Sequence, residues 1–178
     1  MEKESLLQTP SQTVGPYFAY GLTPEQYVYD YKGLFNGNMV GEGPETILLT
    51  GRVLDGEGRP IPDAMIELWQ NDGENALIGR FGTGTDPRNR FIFQTIKPKS
   101  VNGQAPFITV IVMMRGQLIH SYTRIYFEDE FELNHSDETL NQVPEDRRGT
   151  LIAKKKHDNH YEFDIHMQGE FETVFFAV

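Results

Sequence analysis

Apolar residues in this chain fall in short runs that alternate with polar ones and stop at turn residues, and a period of two is the mark of half-buried β-strands. Ile47–Leu54 ends at Asp55-Gly56-Glu57-Gly58, and comparable runs occupy Ala64–Gln70, Arg90–Ile96, Phe107–Met114 and Ile119–Phe127. Three more, Thr150–Lys155, His160–Ile165 and Glu172–Ala177, are rich in β-branched and aromatic residues, and Asp158-Asn159 predicts a hairpin turn between the first two. About eight strands with little helical periodicity predict an all-β fold, an antiparallel β-sandwich. One helix is expected over Ser136–Arg147, interrupted by Pro144.

Residues 1–45 carry no steady period. Gln12-Thr13-Val14-Gly15-Pro16-Tyr17 leads into Tyr20, Tyr27, Tyr29, Tyr31 and Phe35 amid glycine and asparagine. This stretch reads as an irregular N-terminal arm whose aromatics need burial, either on a partner surface or on the chain's own sandwich. At 178 residues the chain fits one domain with a sizeable core, the sandwich occupying 46–178. No internal repeat or linker divides it.

Charge and composition narrow the chemistry. With 26 acidic against 16 basic residues the net charge is −10, which argues against a nucleic-acid backbone or an anionic membrane as partner. The chain has no cysteine, so zinc-thiolate sites, thiol nucleophiles and disulfides are excluded. Its first residues, Met1-Glu2-Lys3-Glu4-Ser5-Leu6-Leu7, do not form a basic segment followed by an apolar core, and no run of about 18 apolar residues occurs. A cytoplasmic protein is expected. The five histidines, His120, His135, His157, His160 and His166, form no H-x-H or H-E-x-x-H pattern and read as surface or hydrogen-bonding residues. Glu128-Asp129-Glu130-Phe131-Glu132 reads as a solvated acidic loop, Lys154-Lys155-Lys156 as a solvated strand end, and Trp69 as core or interface packing.

Several segments, each weak alone, occur in a specific order: Thr9–Tyr17, Gly51–Gln70 with its Ile66-Glu67-Leu68-Trp69-Gln70, Thr95-Ile96-Lys97-Pro98, Met114–His120, Thr123–Glu130 and Phe163–Phe176. In that order, from about Thr9 to Val178, the chain resembles the intradiol ring-cleavage dioxygenases. Catalytic members of that family hold a ferric ion with two tyrosinates and two histidines, a hard donor set suited to iron(III) and a catecholate. The two histidines form a His-x-His pair, and on a strand residues i and i+2 share a face. Here the pair is replaced by Phe107 and Thr109. One tyrosinate position falls on Val101, and the other near Leu77 in a segment, 70–81, shortened relative to the family; no tyrosine lies between Tyr31 and Tyr122. The arginine that precedes the first histidine by three residues in catalytic chains falls on Gln104.

The ending and the Arg115-Gly116 turn resemble the family's non-catalytic alpha subunits. The resemblance implies a chain with no cofactor of its own, paired with a homologous beta subunit that carries Fe(3+). It further implies that protocatechuate binds at the alpha–beta interface and is cleaved to 3-carboxy-cis,cis-muconate by the assembly. Thr13, Gly15, Pro16 and Arg115 match alpha-subunit residues that line the partner's substrate pocket. Physically, glycine permits close backbone approach and proline fixes direction, but the same residues also suit an ordinary turn. Arg115 fits either attraction of a substrate carboxylate or a solvated turn. Two other readings stay open: an enzyme with a relocated metal site, and a β-sandwich binding module with no role in ring cleavage.

Overall fold

A computed structural model of the chain describes residues 15, 17–35, 39, 45–71 and 76–177. Among them nine strands form: β1 (Thr46–Leu54), β2 (Met65–Asn71), β3 (Ala76–Gly82), β4 (Arg90–Ile96), β5 (Phe107–Met113), β6 (Ser121–Phe127), β7 (Ile152–His157), β8 (His160–Glu162) and β9 (Ile165–His166). The hydrogen-bonded order is β3-β2-β5-β6-β7-β8-β1-β4, with β9 also on β1. One half, β3-β2-β5-β6, faces the other, β8-β1-β4. Their inward residues, Ile66, Leu68, Ile108, Val110, Val112 and Ile125 against Leu49, Val53, Phe91 and Phe93, make one fully buried cluster. This is the sandwich the alternation predicts.

Pairing is largely antiparallel, but β1 runs parallel to β8 and β9, and β6 parallel to β7. The β6–β7 contact lies where the chain crosses between the two halves, whereas β8 and β9 flank β1 within one half. The β7–β8 hairpin turns at Asp158-Asn159 as expected. Three elements differ from the sequence reading. Segment 70–81 is not simply a short loop, because Ala76–Gly82 pairs along β2 as a strand; glycines at 79 and 82 mask its β character. Glu172–Ala177 joins no ladder and is tied down by separate bonds, Thr173 N to His166 O at 2.9 Å and Phe176 N to Tyr122 O at 2.8 Å. The helical stretch is split into α2 (Phe131–Ser136), α3 (Glu138–Asn141) and α4 (Glu145–Arg148). Buried Asp137 sits extended between the first two and caps α3 by accepting from Leu140 N at 2.8 Å, while Pro144, also extended, precedes α4.

The described part of the arm starts with α1 (Tyr17–Leu22) and a single 3-10 turn over Pro24–Tyr27. It lies on its own sandwich at β3: Gln26 Oε1 accepts from Gly82 N at 2.8 Å, and Tyr27 packs where a Cβ at Gly82 or Gly84 would fall. Val28, Tyr29, Tyr31 and Leu34 remain exposed.

The tightest crossing in the sandwich is at Gly51 of β1. A Cβ there would lie 1.8 Å from the Phe163 carbonyl oxygen and 2.4 Å from Phe91 Cζ. Gly51→Ala is therefore expected to destabilise the fold by about 3 kcal/mol or more in thermal or urea unfolding. Gly149→Ala, where a Cβ meets nothing within 4 Å, should stay within about 0.5 kcal/mol of the parent.

Candidate functional site

The register of β3, β2, β5 and β6 sets two rows of side chains on the outer face of the sheet. Ile78, Trp69, Thr109 and Arg124 are consecutive cross-strand partners, and so are Arg80, Glu67, Ile111 and Tyr122. In the second row buried Glu67 is fully engaged: Arg80 Nε lies 2.5 Å from Glu67 Oε2, and the Trp69 indole N–H donates to Glu67 Oε1 at 2.6 Å. Trp69 is thus not a core residue; it is 44% exposed. Its alternation with buried Ile66 and Leu68 is the sequence signal that places it outward.

Beside the first row lies a cavity of 290 Å³, lined by Trp69, Gln70, Asn71, Ala76, Leu77, Ile78, Phe107 and Thr109. Of the four positions that the family resemblance matches to iron ligands, Phe107, Thr109 and the loosely matched Leu77 line one cavity. Leu77 belongs to the opposite face of the sheet and packs on the core, but it still lines this space. Val101 is not in the lining. It sits in a tight turn closed by Gln104 N donating to Val101 O at 3.0 Å, with Asn102 and Gly103 at positive φ. Gln104, at the family's arginine position, belongs to the same turn.

These residues do not fit a ferric ion. Leu77, Val101 and Phe107 have no lone pair to offer, and the Thr109 hydroxyl is neutral and lies 3.5 Å from Tyr122 Oη. Among the described residues no group of three or more His, Cys, Asp or Glu is placed to hold a metal ion. Sequence reasoning overlooked Arg124. Its guanidinium carbon stacks 4.2 Å from the Phe107 ring centroid and 5.9 Å from that of Phe176. Its Nη1 reaches Tyr126 Oη at 3.4 Å, while its Nε is buried without a partner. Burial pushes the Tyr126 phenol up to about 12, so that partner is neutral.

Of the four residues matched to the substrate pocket, Thr13 and Pro16 lie outside the described residues. Gly15 is exposed, with open space where a Cβ would stand. Arg115 is exposed at the β5–β6 turn, and its charge is compensated: Nε donates to Asp63 Oδ2 at 2.6 Å. A larger cavity of 480 Å³ is lined by Lys154, Glu162, Asp164, His166 and Phe171 among others. Of its charged lining residues Asp164 pairs with Arg52, Glu162 with Lys156 and Lys154 with Glu128, while Asp146 forms no ion pair among the described residues.

The acidic run is not simply solvated. Asp129 accepts from Lys97 at 3.1 Å, Lys155 at 3.0 Å and Tyr161 at 2.7 Å, and Glu130 also pairs with Lys97. The lysine run is exposed as expected, but each member pairs with an acid. Burial pushes the Asp129 carboxyl up, yet hydrogen bonds from Tyr161, Lys155 and Lys97 outweigh it and hold the group at about 2.

Solved structures share this architecture. An intradiol ring-cleavage dioxygenase from Tetranychus urticae superposes with a TM-score of 0.61 at 14% identity, covering 90% of this chain and 94% of that one. Hydroxyquinol 1,2-dioxygenase from Pseudomonas putida DLL-E4 gives 0.56 at 19%, covering 94% and 69%. The fold is that of the intradiol dioxygenases. Sequence narrows this further. The chain is 47% identical to the protocatechuate 3,4-dioxygenase alpha chain of Burkholderia cepacia, over 98% of this chain and 99% of that one, and 38% identical to the Pseudomonas putida alpha chain, over 99% of each. It belongs to the family of protocatechuate 3,4-dioxygenase alpha chains. The Burkholderia cepacia beta chain is more distant, at 28% over 88% of this chain and 77% of that one. No family model matches the chain.

The Asp129 network gives a pH test. A carboxyl held at about 2 against an ordinary 3.8 adds stability that is complete above about pH 4 and lost as pH falls towards 2. Asp129→Asn should thus be less stable than the parent near neutrality by about 1–2 kcal/mol after allowance for partial exposure. The difference should shrink between about pH 4 and pH 2 in urea unfolding followed across pH.

Proposed function

We propose that this chain is the iron-free alpha subunit of a protocatechuate 3,4-dioxygenase, an oxidoreductase whose ferric ion is held by a homologous beta subunit. The observation that carries this reading is the cavity at the expected metal position, where Leu77, Phe107 and Thr109 meet and none of them is a competent ligand. Kinship to named alpha chains over nearly its full length supports the same assignment, and the more distant match to a beta chain is what two diverged partners would give. The partner's iron would bind protocatechuate as a catecholate and supply the ring-cleaving oxygen chemistry, with 3-carboxy-cis,cis-muconate as product. This chain's part is to form pocket wall and assembly surface. Thr13, Gly15 and Pro16 would offer backbone at the mouth of the partner's site, and Arg115 would present a guanidinium fixed by Asp63. Because that pair leaves little net charge, Arg115 would orient a substrate carboxylate by hydrogen bonding more than attract it from a distance. Absence of cysteine, and of any described helix long and apolar enough to cross a membrane, is compatible with work in the cytoplasm.

The test is iron content and protocatechuate-dependent oxygen uptake, measured for the chain alone and co-expressed with its beta partner. Both should be found in the co-expressed complex and neither in the isolated chain; iron or turnover in the isolated chain would overturn the reading. In the complex, Arg115→Ala should raise KM for protocatechuate about tenfold while changing kcat little, as expected for loss of binding common to ground and transition states. A normal KM would remove Arg115 from the pocket.

A further inference from the structure

We propose that Asn102-Gly103 is a site of spontaneous covalent modification, where the turn converts its own asparagine to aspartate and isoaspartate without enzyme or cofactor. The inference rests on this chain's own backbone and holds whether or not the chain serves a dioxygenase.

Access comes first. Asn102 and Gly103 are both exposed, and a Cβ on Gly103 would meet nothing within 4 Å, so water reaches the turn and nothing crowds it. Among the described residues neither the Asn102 carboxamide nor the Gly103 N–H takes part in a hydrogen bond. The bond that closes the turn, Gln104 N to Val101 O at 3.0 Å, leaves both groups out.

Backbone conformation then decides whether the two groups can meet. Asn102 has φ 53° and Gly103 φ 78°, the two positive values of a type I′ turn. Closing a five-membered ring from Gly103 N to Asn102 Cγ eclipses that nitrogen with Cβ and brings ψ of Asn102 to about −120°, and a type II′ turn has that ψ with φ about +60° at the same position. Asn102 therefore already holds the φ of the turn the ring needs. Rotating the one peptide plane between 102 and 103 supplies the ψ and keeps the Val101–Gln104 bond. It asks only Gly103 to change φ, which glycine does at little cost.

In the reaction the Gly103 nitrogen gives its proton to hydroxide and attacks Asn102 Cγ. The N–Cγ bond forms, the Cγ–Nδ2 bond breaks, and ammonia leaves a succinimide. Water then opens the ring, giving aspartate when it attacks Cγ and isoaspartate when it attacks the main-chain carbonyl carbon. No electrons are exchanged, and water is the co-reactant. Either product adds a carboxylate to the turn that carries Val101 and Gln104, and isoaspartate also lengthens its backbone by a methylene. Other steps of the chain are held back. Asp55-Gly56 is locked, because Asp55 accepts from Glu57 N, Arg59 N and Arg59 Nε, each at 2.9 Å. The amides of Asn134 and Asn141 donate to Phe127 O at 2.7 Å and His135 O at 2.9 Å, and neither residue precedes a glycine.

The experiment holds the full chain in heavy-oxygen water at physiological temperature, then reads its peptides by mass spectrometry with fragmentation that separates aspartate from isoaspartate. Heavy oxygen in the new carboxylate marks conversion during incubation rather than during handling. Asn36-Gly37, a second such step outside the described residues, falls in a separate peptide. Asn102 is expected to convert at least about tenfold faster than Asn134 and Asn141, and at least about tenfold faster at pH about 9 than at pH about 6, since the nucleophile is the deprotonated amide. The same chain unfolded in urea gives the rate that local sequence alone sets, and the folded rate should lie within about a hundredfold of it. A site that reacted only on global unfolding would fall at least about a thousandfold below. A gap wider than about a hundredfold, no excess at Asn102 over Asn134 and Asn141, or a rate indifferent to pH would each overturn the proposal.

Discussion

The pleat of β2, β5 and β6 fixes most of what this chain can do. Ile66, Leu68, Ile108, Val110, Val112 and Ile125 are wholly buried between the two halves of the sandwich, so their strands cannot slip by a residue without turning that core outward. With the inner set fixed, the outer set is fixed as well: Glu67 and Trp69 on β2, Phe107, Thr109 and Ile111 on β5, Tyr122 and Arg124 on β6. A scaffold that holds i and i+2 positions of one strand on one face can present two metal ligands there. It holds Phe107 and Thr109 in the same way, and neither side chain is a donor of the kind iron(III) takes.

Legibility in the sequence followed the strength of local signals. The long alternating runs that became β1, β4, β5 and β6 stand out because one face of each is continuous core. β3 was hidden because Gly79 and Gly82 lower its apparent β character, and its identity comes from pairing with β2. Glu172–Ala177 has strand composition but runs where single side-chain and backbone bonds, such as Thr123 Oγ1 to Val174 O at 2.7 Å, take the place of a ladder. That Phe107 and Thr109 offer no histidine pair was readable because the i and i+2 positions of one strand stand in the sequence pattern itself. That Leu77 joins them at one cavity and Val101 does not was not readable, because both placements depend on how turns position remote segments. Arg124 was missed for a related reason: an arginine on a strand looks solvated until its neighbours, Phe107, Phe176 and Tyr126, are known.

Losing a metal site need not weaken a fold when ion and ligands go together. A buried charge left without its counter-charge is strongly destabilising, but replacing a whole charged constellation with apolar groups of similar volume is often neutral or favourable. Phe107 and Leu77 accord with that rule, since they put packing surface where donors would be needed. The same rule explains Glu67: it survives on this face because Arg80 and the Trp69 indole satisfy it. Arg124 is the member of the face the rule leaves unaccounted for, a guanidinium held by aromatic rings and a neutral phenol beside a cavity with no anion in its lining. Ring faces stabilise a cation only modestly, by about 0.5–2 kcal/mol. The Tyr126 phenol that Arg124 reaches itself donates to Asp137 Oδ1 at 3.3 Å, so a buried carboxylate stands one hydroxyl away from the guanidinium.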